Sequence, residues 1–143
     1  MVTNQSGISR GFYSWQQYEM VTEKMVNELA KIDALPTAIY ANGYGPSDGE
    51  KSWRKPNPGM LFEASKDLGI NLRESTIIGD RLSDLEAGAN AGITKLVHVL
   101  TGHGIKERAQ VEKTVLKDQL FCDKILKMVK NLEELSEDAM FLR

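Results

Sequence analysis

Ser75-Thr76-Ile77-Ile78-Gly79 is a five-residue run, apolar at its centre, that leads directly into Asp80-Arg81-Leu82-Ser83-Asp84. The run is too short for a stable helix. As a strand it would turn Ile77 and Ile78 to opposite faces, so both faces need cover. A strand of that kind belongs to a parallel sheet with helices on its two sides. Ligands in such sheets bind at the carboxyl ends of the strands, which is where Asp80 falls.

The flanking segments agree with that layer arrangement. Ser14 predicts an N-cap for a helix running to about Ile32, with Tyr18, Val21, Met25, Leu29 and Ile32 recurring at helical spacing. Thr37 to Ala41 reads as a short strand, and Asn42 to Asn57 as a polar loop punctuated by Gly43, Gly45, Pro46, Gly49 and Pro56. Pro58 opens a second helix that stops at Gly69. A helix follows from about Asp84 to near Gly92, then a strand from Lys95 to Leu100 and the loop Thr101-Gly102-His103-Gly104. The opening residues Asn4 to Gly11 read as a turn. From Ile105 onward the pattern is helical and charged, with Leu120, Ile125, Met128, Val129, Leu132 and Leu135 supplying one face. Helices alternating with short apolar strands predict an α/β fold with a parallel sheet. No linker or repeat divides the 143 residues, which read as one domain.

Charge and cysteine content narrow the partners. A formal charge of −2 gives no global reason to expect nucleic acid or an anionic membrane, so any bound anion needs a local cluster. Cys122 is the only cysteine, which rules out an internal disulfide. No run approaches the roughly 20 apolar residues of a membrane span, and the polar start lacks a signal-peptide core. The expectation is a cytoplasmic protein without a nucleic-acid or membrane partner.

Three clusters can hold a phosphate. Thr3-Asn4-Gln5-Ser6-Gly7 places hydroxyl, amide and backbone donors together, although the same residues make ordinary turns. Arg54-Lys55-Pro56-Asn57-Pro58 offers a planar guanidinium and a compact ammonium, stiffened by prolines before a helix start. The bland reading there is a solvated basic pair. Gly79-Asp80 ends its strand with a carboxylate able to hold a hard cation such as Mg²⁺. Asp84 reads equally as a helix N-cap or as a second metal contact.

Taken together, in this chain order, the clusters resemble the second, third and fourth motifs of haloacid-dehalogenase-like (HAD) phosphatases. The closer likeness is to the branch of D-glycero-D-manno-heptose 1,7-bisphosphate phosphatase and histidinol-phosphatase. It rests on Val2 to Gly11, Arg54 to Met60, Gly79 to Gly88 and Leu100 to Gly104, and covers about the first three-quarters of the chain. The resemblance implies a Rossmann-like HAD fold and hydrolysis of a small sugar phosphate through an aspartyl-phosphate. It implies Thr3 and Lys55 as catalytic residues: Thr3 bonds the transferring phosphoryl group and Lys55 offsets its charge. Asn4, Gln5, Ser6, Arg54 and Arg81 would bind substrate, and Asp80, with Asp84 as a further candidate, would hold Mg²⁺.

Two departures from the pattern stand out. Members of this branch commonly carry a zinc loop, and here the matching segment, Ala41 to Trp53, has neither cysteine nor histidine, so zinc is not expected. The family's first motif, Asp-x-Asp, supplies the nucleophile and proton donor, and no two aspartates of this chain stand two positions apart. The expectation is therefore a version lacking its N-terminus and its central strand, with Met1 an internal methionine and this chain inactive alone. Exposed sheet edges would then favour self-association. A non-catalytic phosphate- or metabolite-binding remnant, and a fragment that needs a strand-donating partner, remain open beside the phosphatase reading.

Overall fold

A computed structural model describes residues 1–48, 53–136 and 138–142. The chain folds as two compact units, Met1–Arg54 and Lys55–Arg143, and the division falls between the two basic residues of the Arg-Lys motif.

The first unit contains β1 (Val2–Asn4), α1 (Trp15–Ala30) and β2 (Tyr40–Asn42). The two strands pair in parallel, with Thr3 opposite Ala41 and Asn4 opposite Asn42. Residues 2 to 4 are thus strand and the turn begins after them, a correction to the reading of Asn4 as turn. The second strand starts at Tyr40 instead of Thr37 because its ladder partner is only three residues long. Ser14 caps α1 as expected: its hydroxyl accepts from Gln17 N–H, and the Gln17 side chain accepts from Ser14 N–H. Tyr18, Met25 and Leu29 are half-buried on α1, whereas Val21 and Ile32 stay exposed.

The loop after β2 is shaped by contacts within this unit. The Asn42 amide donates to Tyr44 O at 3.1 Å, Gly45 N–H donates to the Asp48 carboxylate, and the Tyr40 and Trp53 rings meet edge to face. Gly49 lies outside the described residues.

The second unit runs α2 (Gly59–Leu68), β3 (Thr76–Gly79), α3 (Leu82–Asn90), β4 (Lys95–Val99), α4 (Gly104–Val115), β5 (Ile125–Val129), α5 (Leu132–Leu135) and α6 (Ala139–Leu142). The sheet is parallel in the order β3-β4-β5. Gly69 ends α2 at φ 64, a left-handed conformation that costs a β-carbon residue energy. Core side chains cover both faces of β4. Leu96 packs with Leu85, Ile93, Val111 and Phe121 on one side, and Val97 and Val99 with Val129, Leu135 and Phe141 on the other. Burying such a side chain contributes roughly 1.5–3 kcal/mol, so β4 anchors the unit.

Residues 125 to 129 correct the helical reading of the C-terminal third. They form β5, paired along its length with β4. Leu126 and Met128 lean on the core cluster that holds Leu96, while Val129 joins the cluster on the opposite face. With apolar side chains on both faces, such a run carries no clear period, and its β4 partner decides between helix and strand. Lys127, which a helix would turn to solvent, pairs instead with Asp138 and lies over the Phe141 ring.

Candidate active site

In the first unit, Thr3 and its neighbours form a linked set at the end of β1. Gln5 N–H donates to Asn42 O at 2.7 Å and so extends the β1–β2 pairing by one step. The Gln5 amide donates to Thr3 Oγ1 at 2.9 Å, and its oxygen accepts from the Tyr13 hydroxyl at 2.6 Å. One lone pair of the Thr3 hydroxyl is thereby engaged while its proton remains available to an acceptor. Tyr13 was not singled out in the sequence, and its position eight residues beyond Gln5 follows no local rule. Gly7 is required here because a β-carbon would collide with the Tyr13 ring. Ser6 sits in the turn, where its carbonyl accepts from Ser9 Oγ at 3.3 Å. Arg54 donates to Tyr44 O at 3.0 Å.

In the second unit the remaining candidates gather at the carboxyl end of β3. Lys55 Nζ pairs with Asp84 Oδ1 at 2.6 Å, and the two side chains are only 13% and 8% exposed. Asp84 is the third residue of α3, which starts at Leu82 and not at Asp84. Its second oxygen accepts from Arg81 N–H at 3.0 Å. This satisfies one helix-start donor and sets a negative charge at the positive end of the helix. Gly79 makes room for the arrangement, since a β-carbon there would run into the Asp84 carboxylate.

Asp80 follows Gly79 and is half-buried, and its Oδ2 accepts from His103 N–H at 2.6 Å. The carboxylate therefore ties the end of β3 to the loop before α4. Gly102 in that loop has φ 61 and leaves the space that the Asp80 carboxylate uses. Arg81 is exposed and lies 3.5 Å from Glu107 on α4, whose other oxygen accepts from Leu82 N–H at 2.9 Å. Behind this turn, His98 is fully buried. Arg108 Nε donates to His98 Nδ1 at 3.0 Å, which puts the imidazole proton on Nε2, 3.2 Å from Asp80 O. Burial first, then the Arg108 charge, holds His98 below the usual imidazole range and so neutral. Glu107, Arg108 and His98 were missed in the sequence. A histidine inside an apolar strand and an Arg-Glu pair in a charged helix give no signal until the fold brings them to the Asp80 turn.

The carboxyl end of β3 thus carries one carboxylate directed to the next loop and a second locked to an ammonium. Mg²⁺ is commonly held by one or two carboxylates, with water and phosphate oxygens completing the shell. Asp80 fits that role, while Asp84, bound to Lys55 and Arg81 N–H, is the poorer donor. Among the described residues no three His, Cys, Asp or Glu side chains cluster as a protein-only metal site. Among the same residues no helix is long and apolar enough to cross a membrane.

Residues 52–128 match the HAD-hydrolase-like family. The chain is 36% identical over 127 residues to D-glycero-alpha-D-manno-heptose-1,7-bisphosphate 7-phosphatase of Photorhabdus laumondii, covering 85% of this chain and 68% of that protein. It is 36% identical over 136 residues to D-glycero-beta-D-manno-heptose-1,7-bisphosphate 7-phosphatase of Haemophilus influenzae, covering 91% and 74%. The crystal structure of D,D-heptose 1,7-bisphosphate phosphatase from B. bronchiseptica, complexed with magnesium and phosphate, superposes with a TM-score of 0.75 at 32% identity, covering 88% of this chain and 65% of that one. The chain therefore spans about two thirds of the length of the relatives it matches.

Proposed function

The chain belongs to the haloacid-dehalogenase-like hydrolase family, and from that membership we propose that it carries the phosphate- and metal-holding part of a sugar-phosphate phosphatase. The proposed substrate is D-glycero-D-manno-heptose 1,7-bisphosphate, in keeping with the relatives of that name. One observation carries the assignment of roles. The Lys55–Asp84 ion pair, 2.6 Å long and largely buried, ties Lys55 to the first turn of α3, which begins two residues after Asp80. A buried ammonium is costly to keep, and a site that receives a multiply charged phosphoryl group gives it a use.

In the reaction we infer, a carboxylate attacks phosphorus as the P–O bond to the sugar breaks and the sugar leaves as its protonated hydroxyl; water then hydrolyses the aspartyl-phosphate, releasing phosphate and restoring the carboxylate. Lys55 offsets charge on the phosphoryl oxygens. Within the first unit, Thr3 is the proposed hydroxyl donor to phosphate, with its acceptor side already engaged by Gln5. Asn4, Gln5 and Ser6 are proposed as substrate contacts beside Thr3 in the same unit. Arg54 and Arg81 recognise the sugar or its second phosphate, for which a guanidinium fork is suited. Asp80 would hold Mg²⁺, with Asp84 as a further candidate, and the bound ion would lower the cost of charge building on the phosphoryl oxygens. Sequence 1–143 has no Asp-x-Asp pair, so the attacking carboxylate and its proton donor are not assigned to any residue of it.

Isothermal titration of the chain with the heptose bisphosphate and Mg²⁺ tests the proposal. Lys55→Met should weaken binding by about tenfold or more, the loss of a charge-assisted bond worth roughly 1.5–3 kcal/mol. Asp80→Asn should abolish the Mg²⁺ dependence. Equal binding by the wild-type chain and both variants would overturn the roles. No phosphate release is expected from this chain by itself, and turnover abolished by Asp80→Ala would make Asp80 the nucleophile instead.

A further inference from the structure

We propose that two neighbouring side chains of α4, Glu107 and Arg108, are positioning residues that set the Asp80–Arg81–Leu82 turn from two sides, Arg108 acting through His98. The inference rests on the functional reading above for what the turn does, but its geometry stands independently of it. Glu107 reaches forward to the turn. One oxygen accepts from Leu82 N–H at 2.9 Å, and the other lies 3.5 Å from the Arg81 guanidinium. It satisfies an open donor of α3 and draws Arg81 into one direction.

Arg108 works behind the turn. Its Nε donates to His98 Nδ1 at 3.0 Å, and its terminal nitrogen lies 3.2 Å from Val129 O and 3.4 Å from His98 O. One guanidinium thus joins β4 and β5 and holds the imidazole at Nδ1. With Nδ1 occupied, His98 has Nε2–H to give to Asp80 O at 3.2 Å. The carbonyl of Asp80 is held by that bond from β4, and its carboxylate by His103 N–H, so backbone and side chain are fixed from separate elements. A fully buried histidine next to the end of β4 is poor core material, since a Leu or Val would pack there without polar atoms. Its placement is accounted for by the bond to Asp80.

The division of labour predicts two separable phenotypes. Arg108→Met and His98→Leu act on Asp80, and should weaken Mg²⁺ binding by about tenfold or more, the scale of outer-shell partners in metal sites. Glu107→Gln keeps an acceptor for Leu82 N–H but loses the charge facing Arg81. It should leave Mg²⁺ affinity within about twofold and weaken phosphate binding by roughly two- to fivefold, as for a partly exposed ion pair.

The experiment combines amide hydrogen exchange on the chain with titrations of Mg²⁺ and inorganic phosphate. Arg108→Met should speed exchange at the His103 amide, with β4 amides protected as in wild type. Arg108→Lys, which keeps the charge and one donor, should restore part of that protection. Acceleration across β3, β4 and β5 in equal measure would reduce Arg108 to a general stabiliser and overturn the proposal. So would parallel losses of Mg²⁺ and phosphate affinity in the Arg108 and Glu107 variants. An Asp80→Asn control separates the two levels. If it leaves Mg²⁺ binding unchanged, the metal-holding reading of Asp80 fails, and the exchange data alone then decide the positioning role.

Discussion

Removing either partner of the Lys55–Asp84 pair offers the sharpest test of how the site is built. At 2.6 Å the direct attraction is about 6 kcal/mol for an effective dielectric constant of about 20. Most of this offsets the cost of taking both charges out of water, since the side chains are 13% and 8% exposed. Truncating one partner leaves the other in that setting, and breaking a buried pair costs about 3–5 kcal/mol. Asp84→Asn keeps an oxygen for Arg81 N–H, so its loss should fall at the lower end of that range. Lys55→Met removes the ammonium and keeps most of the volume. The double variant has no stranded charge and should lose less than the two singles added together, by about 1–3 kcal/mol of coupling. Urea unfolding followed by circular dichroism would measure all four proteins. Additive single losses, or singles within about 0.5 kcal/mol of wild type, would mean that the pair is not coupled as its geometry requires, and would refute this reasoning.

Gly79→Ala should cost about 1–3 kcal/mol and abolish coupling in the same cycle, because the added methyl would occupy the space of the Asp84 carboxylate; urea unfolding reads both effects. Glu86 has its carboxyl pushed above the usual range, first by burial and then by Asp118 and Glu107. A raised carboxyl binds more protons folded than unfolded, so it lowers stability as pH rises from the ordinary carboxylate range through the folded value. Glu86→Gln should therefore stabilise the chain at neutral pH and make no difference well below that range, as thermal unfolding at several pH values would register. Ser14→Ala should cost α1 about 1 kcal/mol and speed amide exchange in its first turn, leaving the β3-β4-β5 sheet unchanged.

Much of the fold was legible because local chemistry and tertiary structure agree. Ser14 and Gln17 mark the start of α1 and Gly69 the end of α2, each by a rule that operates over a few residues, whereas of Ile77 and Ile78, expected to be covered on both faces of β3, only Ile77 is buried and Ile78 stays exposed. β5 was not legible in the same way, because its apolar residues suit a helical face as well as two strand faces. The site divides along the same line. Lys55, Asp80 and Asp84 could be picked from motif spacing, and the pairing of Lys55 with Asp84 could not, since 29 positions separate them and Asp84 is equally suited to a helix cap. Glu107, Arg108 and His98 were invisible as site residues for a related reason. Their partners are carbonyls, amides and a guanidinium that only the β3-β4-β5 order brings within reach.

What the linear chain determined by itself is the choice of residue types at the strand ends: a hydroxyl after β1's first residue, an Arg-Lys pair before a helix, and a carboxylate closing β3. Those follow from short-range periodicity and turn chemistry, which a single sequence records. The fold decided which of those groups are spent on one another and which remain for a ligand. Asp84 is committed to Lys55 and Arg81 N–H, while Asp80 is steadied by His103 N–H at one oxygen and by His98 at its carbonyl. That distinction depends on distances of about 3 Å between residues far apart in the chain, and packing alone sets such distances.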